Sequence, residues 1–199
     1  MVKSDKDKGV IMFGKRRSIL VALMGIIVAA SAAMPPSAEA LGRNAGLNVT
    51  VINYPDLSAS EWGNARPWSQ NDGATVCKTA VIASLNLDWG EDPVLGCQEE
   101  DVVLHVTGFI TAPTSGRYVF SNSSDDGFVL QINSRTVISD WVDQSATMFN
   151  GSGSVSLVAR KKYRIEIWYY ENETDATLRL YVNSRRGFEI VPSSWLTTR

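Results

Sequence analysis

The segment SNSSDDGFVLQINSRTVISDW, residues 121–141, sets Asp125 and Asp126 side by side in a glycine turn between two apolar runs. Adjacent like charges repel, and more strongly where water is excluded. Two chemistries suit the pattern. A solvated Asp-Asp-Gly turn needs no partner, because Asp and Gly are common turn residues. A hard cation such as Ca²⁺ takes about six to eight oxygens from carboxylates, amides and backbone carbonyls, and it would neutralise the pair. On these residues alone both readings stay open.

Competing chemistry is sparse. His105, the single histidine, sits in an alternating run and reads as an ordinary strand residue. Ser152-Gly153-Ser154 lacks the GxSxG pattern of a nucleophile elbow. One histidine and two cysteines without a CxxC pair cannot furnish four well-spaced zinc ligands. Carboxylates are plentiful, but no strand-end constellation marks a glycosidase pair, and the chain is short for such an enzyme with its cleft. The chain is read as no enzyme, with a small hydrolase left as the third-ranked alternative.

The elements that must position the two aspartates are short strands. LNVTVINY (47–54), DVVLHVTGFITA (101–112), RYVFSNS (117–123), FVLQIN (128–133) and RTVISDW (135–141) are β-branched or aromatic runs bounded by turn residues. GSVSLVA (153–159), YRIEIWYYE (163–171) and ATLRLYVN (176–183) follow at hairpin spacing. The pattern predicts an all-β fold, a jelly-roll-like antiparallel β-sandwich. Alternation puts Tyr163, Ile165, Ile167 and Tyr169 on one face of a strand and Arg164, Glu166 and Trp168 on the other, wet face. It likewise opposes Leu178, Leu180 and Val182 to Arg179, Tyr181 and Asn183. Between Pro55 and Asp101 the pattern is irregular, which predicts one long excursion with a short helix near 78–86.

The N-terminus reads as a leader. Lys3, Lys6, Lys8, Lys15, Arg16 and Arg17 precede an apolar run from Ile19 to Met34, and Ala38-Glu39-Ala40 fits a signal-peptidase site. The apolar run falls short of the ~20 residues of a membrane span, although an uncleaved anchor stays open. Arg16-Arg17 also loosely fits a twin-arginine signal. Cleavage after Ala40 would leave residues 41–199 as a single domain, secreted or at the cell surface, with no membrane contact. Removing the six basic and three acidic residues of 1–40 from totals of 19 and 21 leaves 13 and 18, a net charge of −5. A mildly acidic domain is poorly suited to nucleic acid. In an exported chain the pair Cys77 and Cys97 reads as a disulfide contributing about 3 kcal/mol in the chain-entropy model. Asn48, Asn122, Asn150 and Asn172 head N-glycosylation sequons, which matter only where the source glycosylates exported proteins.

Gly116, Tyr118 and Phe120 form a G-x-Y-x-F strand that runs into Ser124-Asp125-Asp126-Gly127, and the next strands end at Trp141. Farther on come SVSLVARKKYRIEIWYYEN and IVPSSWL. This order resembles the β-sandwich family named after the N-terminal region of anthrax protective antigen, the PA-fourteen domain, which includes flocculin and GLEYA-type adhesins. The resemblance covers most of 46–197, with residues 60–100 matching least. It implies a calcium-dependent carbohydrate-binding module, lectin- or adhesin-like, whose partners are glycans or cell-surface polysaccharide. It implies a cis peptide between Asp125 and Asp126, with both carboxylates and the side chain of Asn172 on one Ca²⁺, and sugar hydroxyls meeting that ion. Glu171, Glu173 and Asp175 put more acid beside Asn172 than the adhesin pattern requires. Trp68, Trp89 and Trp168 are candidate sugar-stacking residues, with core packing as the competing use. The alternative function is a non-lectin structural or interaction module of an extracellular assembly.

Overall fold

A computed structural model of the protein describes residues 44–57, 73–184 and 187–199. These lie within one compact unit, Pro36–Arg199. The expected leader, Trp68 and part of the excursion fall outside the described residues.

Twelve strands form two antiparallel sheets among the described residues. In the seven-stranded sheet β1 (Leu47–Asn53), β4 (Val102–Thr111), β9 (Lys162–Glu171) and β6 (Phe128–Ile132) make the centre. β2 (Thr75–Ile82) and β7 (Arg135–Asp140) are its edges, and β12 (Leu196–Thr197) continues the line of β1 along β4. The five-stranded sheet runs β11 (Gly187–Ile190), β10 (Ala176–Ser184), β5 (Gly116–Asp125) and β8 (Ser152–Leu157). β3 (Asn86–Gly90) pairs with the first half of β10, in line with β11 on the second half. The arrangement is the β-sandwich that the strand spacing predicts.

Alternation decides the layers. Tyr163, Ile165, Ile167 and Tyr169 of β9 are buried against Leu178, Leu180 and Val182 of β10 and Phe120 of β5 in one core cluster. Tyr169, Phe120 and Phe128 are fully buried, and each such side chain contributes about 1.5–3 kcal/mol. The predicted wet face of β9 needs a correction, because Trp168 and Tyr170 are buried too. A second apolar cluster of Tyr54, Leu57, Val103, Trp168 and Tyr170 lies on that side. His105 is stacked on Trp168 with ring centroids 3.8 Å apart, and its Nε2 lies 3.0 Å from Glu166 Oε1. It is a strand residue in a structural cluster, as expected.

The predicted helix near 78–86 is also corrected: residues 75–82 form β2, paired with β1 from Leu47↔Ile82 to Asn53↔Thr75. TVCKTAVI is rich in β-branched residues, and an available edge on β1 decides its conformation. Cys77 and Cys97 are disulfide-bonded, which ties this edge strand to the turn after Val94–Gly96.

Tertiary pairing places the aspartates. β5 belongs to one sheet and β6 to the other, and only Asp126 and Gly127 separate them, so the chain crosses the sandwich at this point. The crossing is fixed by the end of β9: Asp126 N–H donates to Tyr170 O (3.1 Å) and Tyr170 N–H to Gly127 O (3.0 Å).

Candidate metal centre

At this crossing the Asp125–Asp126 peptide is cis, the isomer that the family resemblance implies. Both side chains are buried, at 6% and 5% exposure, and Glu171, the last residue of β9, is at 0%. One carboxylate oxygen from each of Asp125, Asp126 and Glu171 lies within 4.8 Å of the other two. Three carboxylates thus converge where Thr177↔Asp125 closes the β5–β10 ladder and Val102↔Glu171 closes the β4–β9 ladder.

The loop between β7 and β8 covers the cluster. Gln144 N–H donates to Asp126 Oδ1 (2.7 Å), and Ala146 N–H donates to Asp125 Oδ2 (3.2 Å). Asn172 N–H donates to Asp126 Oδ2 (3.0 Å). Asn172 is therefore brought to the aspartates through its backbone amide. The loop is in turn anchored on β5: Gln144 Nε2 and Asn122 Nδ2 both donate to Asp140 Oδ2 at 2.9 Å, and Ser124 N–H donates to Asn150 Oδ1 at 3.1 Å. Asn122 is fully buried within this network, which closes its sequon to glycosylation.

Tyr169 links the acids. Its hydroxyl donates to Asp125 O at 2.5 Å and stands 3.2 Å from Glu171 Oε2, while Glu171 Oε1 is buried without a hydrogen-bond partner among the described residues. A buried oxygen with no donor is costly unless it is protonated or meets a cation. Burial, with the charges of Asp126 and Asp125 adding to it, pushes the Glu171 carboxyl up to about 9. Burial likewise lifts Asp125 to about 6, against the opposing hydrogen bond from Ala146. Asp126 is raised by burial although the Gln144 and Asn172 amides oppose it. Burial thus favours the neutral form of Glu171, and the proton of a neutral carboxyl can serve the Tyr169 oxygen. The donor set of three hard carboxylates, one of them with an orphaned oxygen, fits a divalent cation of the calcium type.

Gly127 is required at the crossing by packing. A Cβ there would sit 2.0 Å from Tyr170 Cε1 and 2.5 Å from its Cδ1. The ring cannot retreat, since its hydroxyl donates to Asp143 Oδ1 (2.6 Å) and Trp141 packs edge-on at 4.6 Å. Gly127→Ala is expected to destabilise the protein by about 2–3 kcal/mol, measured as a fall in the urea midpoint. A midpoint equal to the wild type's would refute this tight approach.

Of the residues singled out from sequence, Asp125, Asp126 and the backbone of Asn172 come together here. Glu171 joins them as a third acid; its place in YYENETD beside Asn172 was the available signal. The roles of Gln144, Ala146 and Tyr169 leave none, because a backbone amide or a strand tyrosine carries no motif. Trp89 packs against the core, 6.3 Å from Tyr169, and Trp168 is buried in the second cluster. Core packing is therefore the use of both these candidate stacking residues. A separate groove of about 670 Å³ lies at the opposite end of β5, lined by Arg117, Tyr118, Asn183, Glu189 and Trp195 among others, and holds none of the three acids.

A family model described as PA14 domain matches residues 65–194. The anti-sigma-I factor RsgI3 of Acetivibrio thermocellus is 33% identical over 114 residues, which make up 56% of this chain and 17% of that protein. Among solved structures, an anti-sigma factor domain-containing protein is similar with a TM-score of 0.64 and 27% identity, over 78% of this chain and 48% of its own. The PA14 sugar-binding domain of an RTX adhesin has the same fold, with a TM-score of 0.58 and 20% identity over 78% of this chain and 99% of its own. With a family model that takes in well over half of its sequence, and the sandwich those residues build, the chain belongs to the PA14 domain family.

Proposed function

We propose that this domain binds glycans through a calcium ion held where β5 crosses to β6 and β9 ends. The observation that carries the reading is the convergence of three buried carboxylates, with Glu171 Oε1 lacking a hydrogen-bond partner among the described residues. Asp125, Asp126 and Glu171 supply charged oxygens, and Asn172, tied to Asp126 by its backbone, is proposed to add its amide oxygen. Bound there, calcium would offer coordination positions that paired sugar hydroxyls can fill. The chain's own part is to hold the acids and exclude water: the Gln144, Ala146 and Asn172 amides fix the aspartates, and Tyr169 steadies Glu171. The sugar-binding name of the RTX adhesin relative supports the ligand class.

The Cys77–Cys97 disulfide accords with an oxidising compartment, which supports a secreted or cell-surface location and a leader over residues 1–40. A net charge of −5 for residues 41–199 argues against nucleic acid as a partner. One observation favours the second reading, an interaction module without sugar: the matched region is only 17% of RsgI3, so this kind of domain also occurs inside a longer protein named for another task.

A glycan array in calcium, set against the same array in chelator, separates the two. The glycan reading expects retention of defined sugars that chelator and Asp126→Asn both abolish. Retention that survives chelator removes calcium from the mechanism, and an empty array leaves the interaction module.

A further inference from the structure

Phe149 has a backbone conformation unusual for a bulky residue. Its φ of 69° lies in the left-handed region, which bulky L-residues avoid. Its side chain remains 39% exposed. The neighbouring network holds it there: Asn150 N–H donates to Asn122 O, and Asn150 Oδ1 accepts from Ser124 N–H and Thr147 N–H, all within 3.1 Å. The ring meets Tyr181 of β10 edge-on at 5.6 Å and Phe188 of β11 at 4.5 Å, and Phe188 is also 39% exposed. Met148 beside them is 74% exposed. The loop thus presents an aromatic cluster to solvent beside the five-stranded sheet.

The patch is small. Two partly covered phenyl rings and a methionine offer far less than the roughly 800 Å² per partner of a stable protein interface. A small ligand with an apolar face suits it better, and the ring face of a sugar is such a surface. Asn183, exposed and paired with Phe188 in the ladder, offers an amide to the hydroxyls at the ring's edge. The patch and the acidic cluster share a loop: the one that carries Phe149 also supplies the Gln144 and Ala146 amides to Asp126 and Asp125. Tyr181 pairs with Ser121, and Thr177 with Asp125. Four residues of strand separate the two places, about 13 Å at ~3.3 Å per residue. That offset reaches a further residue of an oligosaccharide rather than the sugar at the acids.

We infer that Phe149, Tyr181 and Phe188 form an aromatic subsite for a later sugar residue of a glycan whose first residue binds at Asp125 and Asp126, an inference that rests on the glycan reading above. Neutral oligosaccharides of graded length, presented to the protein in calcium, are the probe. Phe188→Ser and Phe149→Gly are the variants; glycine is at ease at the φ of Phe149, so its backbone should hold. Both variants are expected to keep the calcium-induced rise in melting temperature and the binding of single sugars, while losing about tenfold in affinity for the longer chains. Wild-type affinity for long chains in both variants overturns the subsite. Loss of the calcium response in both also overturns it, by assigning the rings to loop support. Failure of the underlying reading looks different: wild type answers calcium yet binds no saccharide of any length, and the subsite falls with it.

Discussion

Calcium at about 10 mM is expected to raise the melting temperature of the protein by about 3–10 °C at neutral pH, and Asp126→Asn is expected to remove most of the rise. The magnitude follows from mass action. An extracellular-type site with a dissociation constant of roughly 10⁻⁴–10⁻³ M gains about 1.4–2.7 kcal/mol at that concentration. For a domain of this size each kcal/mol is worth about 2–4 °C. The variant keeps the shape of the side chain but only one of the two oxygens that accept from Gln144 and Asn172, so its melting temperature in chelator is the baseline for its own calcium response. What it loses is one of three converging carboxylates. Differential scanning calorimetry in calcium and in chelator reads the outcome, and an unchanged wild-type melting temperature would return the aspartates to a plain turn.

The second expectation is a reversal in pH dependence. In chelator, stability should fall as pH rises from about 5 to about 9, and calcium should oppose that fall increasingly as pH rises. Burial raises the carboxyls of Asp125 to about 6 and Glu171 to about 9. A raised carboxyl binds its proton more tightly in the folded state. Its contribution is therefore fully present below the ordinary carboxylate range and is lost as pH climbs through these folded values. Calcium competes with the same protons, so its stabilisation is small near pH 5 and largest near pH 9. His105 works the other way: burial lowers it, and its contribution is lost as pH falls. Glu171→Gln separates the two, since it removes the acid's share of the slope and leaves His105 untouched. A chelator-treated variant with the wild-type slope would show that Glu171 carries none of the effect.

Strand-forming runs bounded by turn residues made β4, β5, β6, β7, β9 and β10 legible almost residue for residue, and in β4, β6 and β10 most of the length buries one face in alternation. Leu178, Leu180 and Val182 are buried as the pattern requires. It failed at Trp168 and Tyr170, whose covering cluster includes Tyr54 and Leu57 from far along the chain. β2 was misread as a helix because an edge strand with six exposed residues carries no alternation to detect. Only its pairing with β1 and the bond from Cys77 to Cys97 fix its state.

The sequence by itself determined the fold class, the cysteine pair and the Asp125-Asp126-Gly127 turn, since strand periodicity and residue type are local properties. Tertiary structure alone decided what surrounds that turn. It brought Glu171 from another strand, the Gln144 and Ala146 amides from a loop and the Tyr169 hydroxyl from the core to two aspartates that are distant from them in the chain. Carboxylates become a candidate cation site only when burial and mutual distance make their charges costly, and both quantities belong to the assembled sandwich rather than to any stretch of sequence.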